Sequence, residues 1–138
     1  MSQTSQQKQD GIWKTAILMV PTFLLALAFP SAAATAAPPS PETQVEVMHL
    51  LKFVQESDCQ FNRNGTWNDG KAAREHLEMK YAYLARRGAV EKAEDFIENG
   101  ASQSSFSGEP YQIRCADGKT LPSSRWLGEE LRRFRRGK

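Results

Sequence analysis

The chain has only two cysteines and two histidines in 138 residues, and its net charge is +2. Two cysteines cannot complete a structural zinc centre without two more ligands, and His49 and His76 lie on separate segments. Glu46 and His49 have the i, i+3 spacing of carboxylate-bridged metal sites, but the second such pair is missing. Beyond the first 36 residues there is no GxSxG turn and no SxxK, so the usual settings of an activated serine are absent. No internal repeat is present. No apolar run reaches the roughly 20 residues that a membrane-spanning helix needs. These absences set aside metal and cofactor chemistry and leave no enzyme class favoured.

What is present begins at the N-terminus. Lys8 and Lys14 precede a 13-residue apolar stretch, Ala16 to Ala28, interrupted by Pro21, and the small-residue string SAAATAAP follows. That three-part layout predicts a secretory signal peptide over residues 1–36, cut after Ala34 or Ala36. The alternative is an uncleaved inner-membrane anchor over residues 15–37. Either places the remainder outside the cytoplasm, periplasmic or secreted. PPSP then predicts a stiff spacer over 37–42, ahead of a single small domain over 43–138.

Export favours pairing of Cys59 with Cys115, because both lie beyond the leader and an oxidising compartment keeps disulfides intact. Two free buried thiols are the other reading. With the leader removed the net charge falls to +1, and only the C-terminal LRRFRRGK is strongly basic. After export a nucleic-acid partner is not expected. The basic segment is read as a solvated last helical turn favoured by the helix dipole, with weak contact to anionic surfaces as its functional alternative.

The hydrophobic periodicity predicts an α+β, mostly α domain of about four helices with one short hairpin. Thr43 and Glu46 form a capping box, and Val47, Leu50, Leu51 and Val54 recur at helical spacing, so the first helix is expected from about Gln44 to Ser57. CQFNRNGTWNDG is crowded with Asn and Gly and reads as an irregular connection. Thr66 or Asn68 is expected to cap a second helix with the stripe Ala73, Leu77, Tyr81, Leu84, ending near Gly88. A third is expected from Val90 to Ile97. Tyr111, Ile113 and Cys115 alternate with polar residues before Asp117-Gly118, which predicts a hairpin returning through Leu121 and pinned through Cys115. Ser123 is expected to cap a last helix with Leu127, Leu131 and Phe134 inward.

The strings FVQESDCQFNRNG, HLEMKY and SSFSGEPYQIRC, followed by DG and WL, resemble the YfeK-like family of small exported bacterial proteins of unknown function. The resemblance covers about Val45 to Arg135. It implies export and paired cysteines, and it carries no catalytic residue.

The candidate binding residues are Arg63, Asn64, His76, Lys80, Ser105, Ser107 and Tyr111. His76 and Lys80 are one turn apart on a helix face, so such a donor cluster suits a carboxylate or amide from an envelope protein or glycan. In the competing reading the same Asn and Ser groups cap turns and helices. Ser107-Gly108-x-x-Tyr111 also resembles the SGxxY loop of periplasmic lysozyme inhibitors, although those are eight-stranded barrels. A small hydrolase would need His76 on one of Ser104, Ser105 or Ser107 with an acid behind it. The expectation is a binding or interaction module of the cell envelope, not an enzyme, with no cofactor.

Overall fold

A computed structural model describes residues 36–138. The expected leader, its cut after Ala34 and the start of the alternative anchor lie outside the described residues. Among the described residues no helix is long and apolar enough to cross a membrane.

The first helix, α1 (Pro41–Glu56), starts earlier than its periodicity suggests. Ser40 is the N-cap, its Oγ accepting from the Thr43 amide, and Pro41 takes the first helical position where its missing N–H is no loss. Thr43 is therefore not the cap. Its hydroxyl donates instead to the Glu91 carbonyl, tying the helix start to a distant loop. The predicted stripe Val47, Leu50, Leu51, Val54 is fully buried.

The stretch expected to be irregular is a hairpin. Strands β1 (Gln60–Arg63) and β2 (Thr66–Asn68) are joined by Asn64-Gly65, both at positive φ, the backbone that a tight two-residue hairpin turn requires. The predicted hairpin is also present, as β3 (Gln112–Arg114) and β4 (Thr120–Pro122). The four strands form one antiparallel sheet in the order β2-β1-β3-β4. Gln60 pairs with Arg114, so the next residues out, Cys59 and Cys115, face each other and are joined as a disulfide. The bridge links β1 to β3 across the middle of the sheet.

Helix α2 (Gly70–Arg86) is capped by Asp69, which accepts from the Ala72 amide; neither Thr66 nor Asn68 caps it, because both belong to β2. A Cβ on Gly70 would come 2.4 Å from the Val54 carbonyl oxygen, so glycine lets α2 start against α1. The short α3 (Ala93–Phe96) runs directly into a π-helical turn, Ile97–Ala101. Helix α4 (Ser123–Arg136) follows β4 with Pro122 as N-cap. Ser123 is not the cap, since its hydroxyl donates to the Ala101 carbonyl.

One apolar core joins these elements, built on α1 with Leu77, Phe96, Ile113, Leu127 and Leu131. Trp126 of α4 stacks on Phe53 of α1 and meets Phe61 of β1 edge-on, clamping helix to sheet. Polar groups fasten the opposite end of α4. Arg135 binds both carboxylate oxygens of Glu46 at 2.8 and 2.7 Å and also reaches Glu94, while Lys138 lies 3.8 Å from Glu46. His49 is bonded to Glu130 at 2.6 Å and stacked on Phe134. Three of the five C-terminal cations, Arg133, Arg135 and Lys138, are thus paired within the fold. Glu46 and His49 are committed to different partners on α4 and do not converge.

Candidate functional site

Strand alternation places Arg63 on the same side of β1 as the buried Phe61, facing the helices. The β1–β3 register, extended one step, sets Arg63 opposite Tyr111. On α2, His76 comes down over that same corner. Its Nε2 is 3.1 Å from the Tyr111 hydroxyl, and the rings meet edge to face. One turn on, the Lys80 ammonium donates to the Gln103 carbonyl at 2.8 Å, with the Tyr111 hydroxyl 3.5 Å away and the ring beneath it.

The electrostatics follow from this crowding. Burial, helped by the positive charges of Arg63 and Lys80, holds His76 below its ordinary 6.5, so the ring is neutral at pH 7. Burial also lowers Lys80 from 10.5 and raises Tyr111 from 10.0. Among the described residues Arg63 makes no ion pair, and it is exposed.

Beside this cluster a cleft of about 100 Å³ opens between α2 and the sheet. Phe61, Leu77, Ile113 and Leu127 provide apolar walls, and Arg63, His76 and Tyr111 stand among the polar groups lining it. A second depression on the other side of His76 is lined by Lys80, Met79, Tyr83 and Ser105. The loop from Ser104 to Gly108 borders it and projects Phe106, which is 97 % exposed. The loop is held by Ser104, whose hydroxyl accepts from the Phe106 and Ser107 amides while its own amide donates to the Glu109 carbonyl.

Of the residues singled out from sequence, Arg63, His76, Lys80 and Tyr111 come together at one corner. Ser105 lies against the far side of His76 and Lys80. Asn64 and Ser107 form a separate pair, the serine hydroxyl donating to Asn64 Oδ1 at 2.7 Å, and so join the β1–β2 turn to the loop. Tyr111 is 8 % exposed and belongs to the core. Its ring fills the space behind β3, so the SGxxY motif does not project as a unit. The hydroxyl of Ser104 is taken up by its own loop, and the His76 Nε2 is engaged by a tyrosine. The sequence marks Leu77, Ile113 and Leu127 as inward-facing but does not show that they wall a cleft, nor that Asn62 and Asn68 stand beside it. The alternation of Phe61 and Arg63 was the available signal, hidden by reading this stretch as irregular.

Comparison with known proteins agrees with the resemblance read from the sequence. Over 70 residues the chain is 36 % identical to the Uncharacterized protein YfeK of Salmonella typhimurium; the match covers 51 % of this chain and 56 % of that protein. The chain thus aligns with little more than half the length of that relative. No solved structure matches. The family model described as a family of unknown function (DUF5329) matches residues 41–135, from the first turn of α1 to the end of α4 and both cysteines between. The chain belongs to the DUF5329 family.

Proposed function

We propose that this protein is exported and works outside the cytoplasm as a binding module of the cell envelope, using the corner where Arg63, His76, Lys80 and Tyr111 meet. The observation that carries the reading is an apolar cleft at the edge of the core bordered by a cation, Arg63, that makes no ion pair among the described residues. A fold selected for stability alone would fill such a space, and would not desolvate His76 beside two positive charges. The surrounding hydrogen bonds hold His76, Lys80 and Tyr111 in place before any ligand arrives, which lowers the ordering cost of binding. Export is supported by the leader layout, and a disulfide across the sheet suits an oxidising compartment.

N-terminal sequencing of protein recovered from the envelope fraction should give a start at Thr35 or Ala37; an intact Met1 in the membrane fraction supports the anchor instead. For the site, immobilised wild type and Arg63→Gln are passed over the same envelope extract. The reading expects a component retained by the wild type and lost with the variant at an unchanged melting temperature. Equal retention by both proteins overturns it.

A further inference from the structure

The cleft beside Arg63 restricts what could occupy it, and three properties narrow the choice. The first is charge. Among the described residues that line the cleft, Arg63 is the only fixed charge and none is an aspartate or glutamate. A guanidinium presents paired N–H donors that match the two oxygens of a carboxylate. The second is chemistry below the mouth, where Val54, Phe61, Leu77, Ile113 and Leu127 offer only carbon. Of the polar groups beside them, the Ser123 hydroxyl donates to the Ala101 carbonyl, Asn62 Oδ1 accepts from the Gly65 amide, and Asn68 Nδ2 donates to the Thr66 carbonyl. The third is size. About 100 Å³ is less than the ~150 Å³ of an apolar cavity that accepts benzene, so a short branched aliphatic group fits and a long acyl chain does not.

Resting on the reading of this corner as a binding face, we infer that the cleft takes a carboxylic acid bearing a compact apolar group, with the apolar group between α2 and the sheet and the carboxylate on Arg63. His76 stands at the same mouth with its Nε2 held by the Tyr111 hydroxyl, so Arg63 alone supplies the charge-assisted contact. Two sources share this chemistry: a free short-chain acid, and the C-terminus of a peptide ending in a branched aliphatic residue.

The test is a titration of the ¹⁵N-labelled chain, monitored by amide chemical shifts, with four probes. Isovalerate and Gly-Gly-Val represent the two sources. Isovaleramide keeps the shape and lacks the charge, and octanoate keeps the charge with a longer chain. The expected result is saturable shifts at Phe61, Arg63, Leu77 and Ile113 with isovalerate, Gly-Gly-Val or both, and binding at least tenfold weaker for isovaleramide. Response to one of the two acids alone identifies the source. Arg63→Gln should weaken the acid roughly tenfold or more, the loss of a charge-assisted hydrogen bond. Should that exposed substitution disturb the fold, Ala72→Leu on the α2 wall is the second variant, and it should weaken isovalerate by partly filling the cleft. Shifts that do not saturate with either acid, equal affinity for isovaleramide, or tighter binding of octanoate overturns the inference. If the acids fail while an envelope component is still retained through Arg63, only the ligand class falls. If retention fails as well, the binding face falls with it.

Discussion

Glu46 is almost wholly buried, yet it is a carboxylate. Its hydrogen bonds from Arg135 come first in holding its acidity below the ordinary 4.5, against the opposing effect of burial; the nearby charges of Arg135 and Lys138 add to the lowering. Glu94 is depressed by the same guanidinium. A carboxyl with a depressed folded value contributes stability that is complete above its unfolded value and is lost as pH falls through the folded one. Acid unfolding should therefore steepen below about pH 4.5, where the unfolded chain takes up protons on these two glutamates that the folded chain does not yet bind. Glu46→Gln should flatten that limb and lower stability at pH 7, as read by chemical denaturation at pH 7, 5 and 3. Equal pH slopes in wild type and variant would show that the pair does not couple to folding. His76 acts in a higher window with the same sign. Its folded value lies below 6.5, so its share is complete above that pH and is lost on acidification below it.

Among the elements, the short pieces depend most on single residues. Gly70→Ala places a methyl group against a backbone carbonyl of α1, which cannot rotate away as a side chain can. The expected loss is roughly 1–3 kcal/mol, the range for overpacking, measured by urea denaturation. An unchanged midpoint would mean that the α1–α2 contact relaxes freely. The four strands have three or four residues each, too short to persist alone, and the disulfide fixes the central pair β1–β3. Cys59→Ser should lower stability by about 2–5 kcal/mol and loosen β1 before the helices, a difference that amide exchange resolves.

Helices were legible because each shows the stripe that it buries; Val47, Leu50, Leu51 and Val54 needed no partner to be recognised. The hairpin at Asp117-Gly118 was legible by the same local logic. The β1–β2 hairpin was not, even though Asn64-Gly65 is a strong turn signal. Its strands hold only one buried apolar residue, Phe61, too little to mark alternation. Helix starts slipped for a related reason. Ser40, Asp69 and Pro122 are the true caps, and choosing among adjacent Ser, Thr, Asp and Pro depends on where the preceding strand or loop ends.

At the scale of the whole molecule, one end and one corner differ in character. Along α4, Glu130 and Arg135 are paired with His49 and Glu46 of α1, so charge there binds helix to helix. At the corner between α2 and the sheet, charge and hydrogen bonds surround a space that side chains leave open. The candidate residues Arg63, His76, Lys80 and Tyr111 were legible as polar outliers, but their convergence was not, because it depends on a sheet register formed by residues fifty positions apart. The cleft was invisible for the same reason. Two other candidates, Asn64 and Ser107, serve the turn and loop that frame the corner.

The central claim is that the polar contact between His76 and the Tyr111 hydroxyl serves a binding face and does not hold the fold together, although the Tyr111 ring belongs to the core. The melting temperature of the double variant His76→Leu, Tyr111→Phe tests it most directly. Removing both partners of a hydrogen bond for apolar groups of similar shape is close to neutral, and it relieves the desolvation of an imidazole beside two cations. The account predicts a melting temperature at pH 7 equal to or above that of the wild type. A fall of about 8 °C or more, equivalent to at least roughly 1 kcal/mol in a domain of this size, would contradict it and make the pair part of the scaffold.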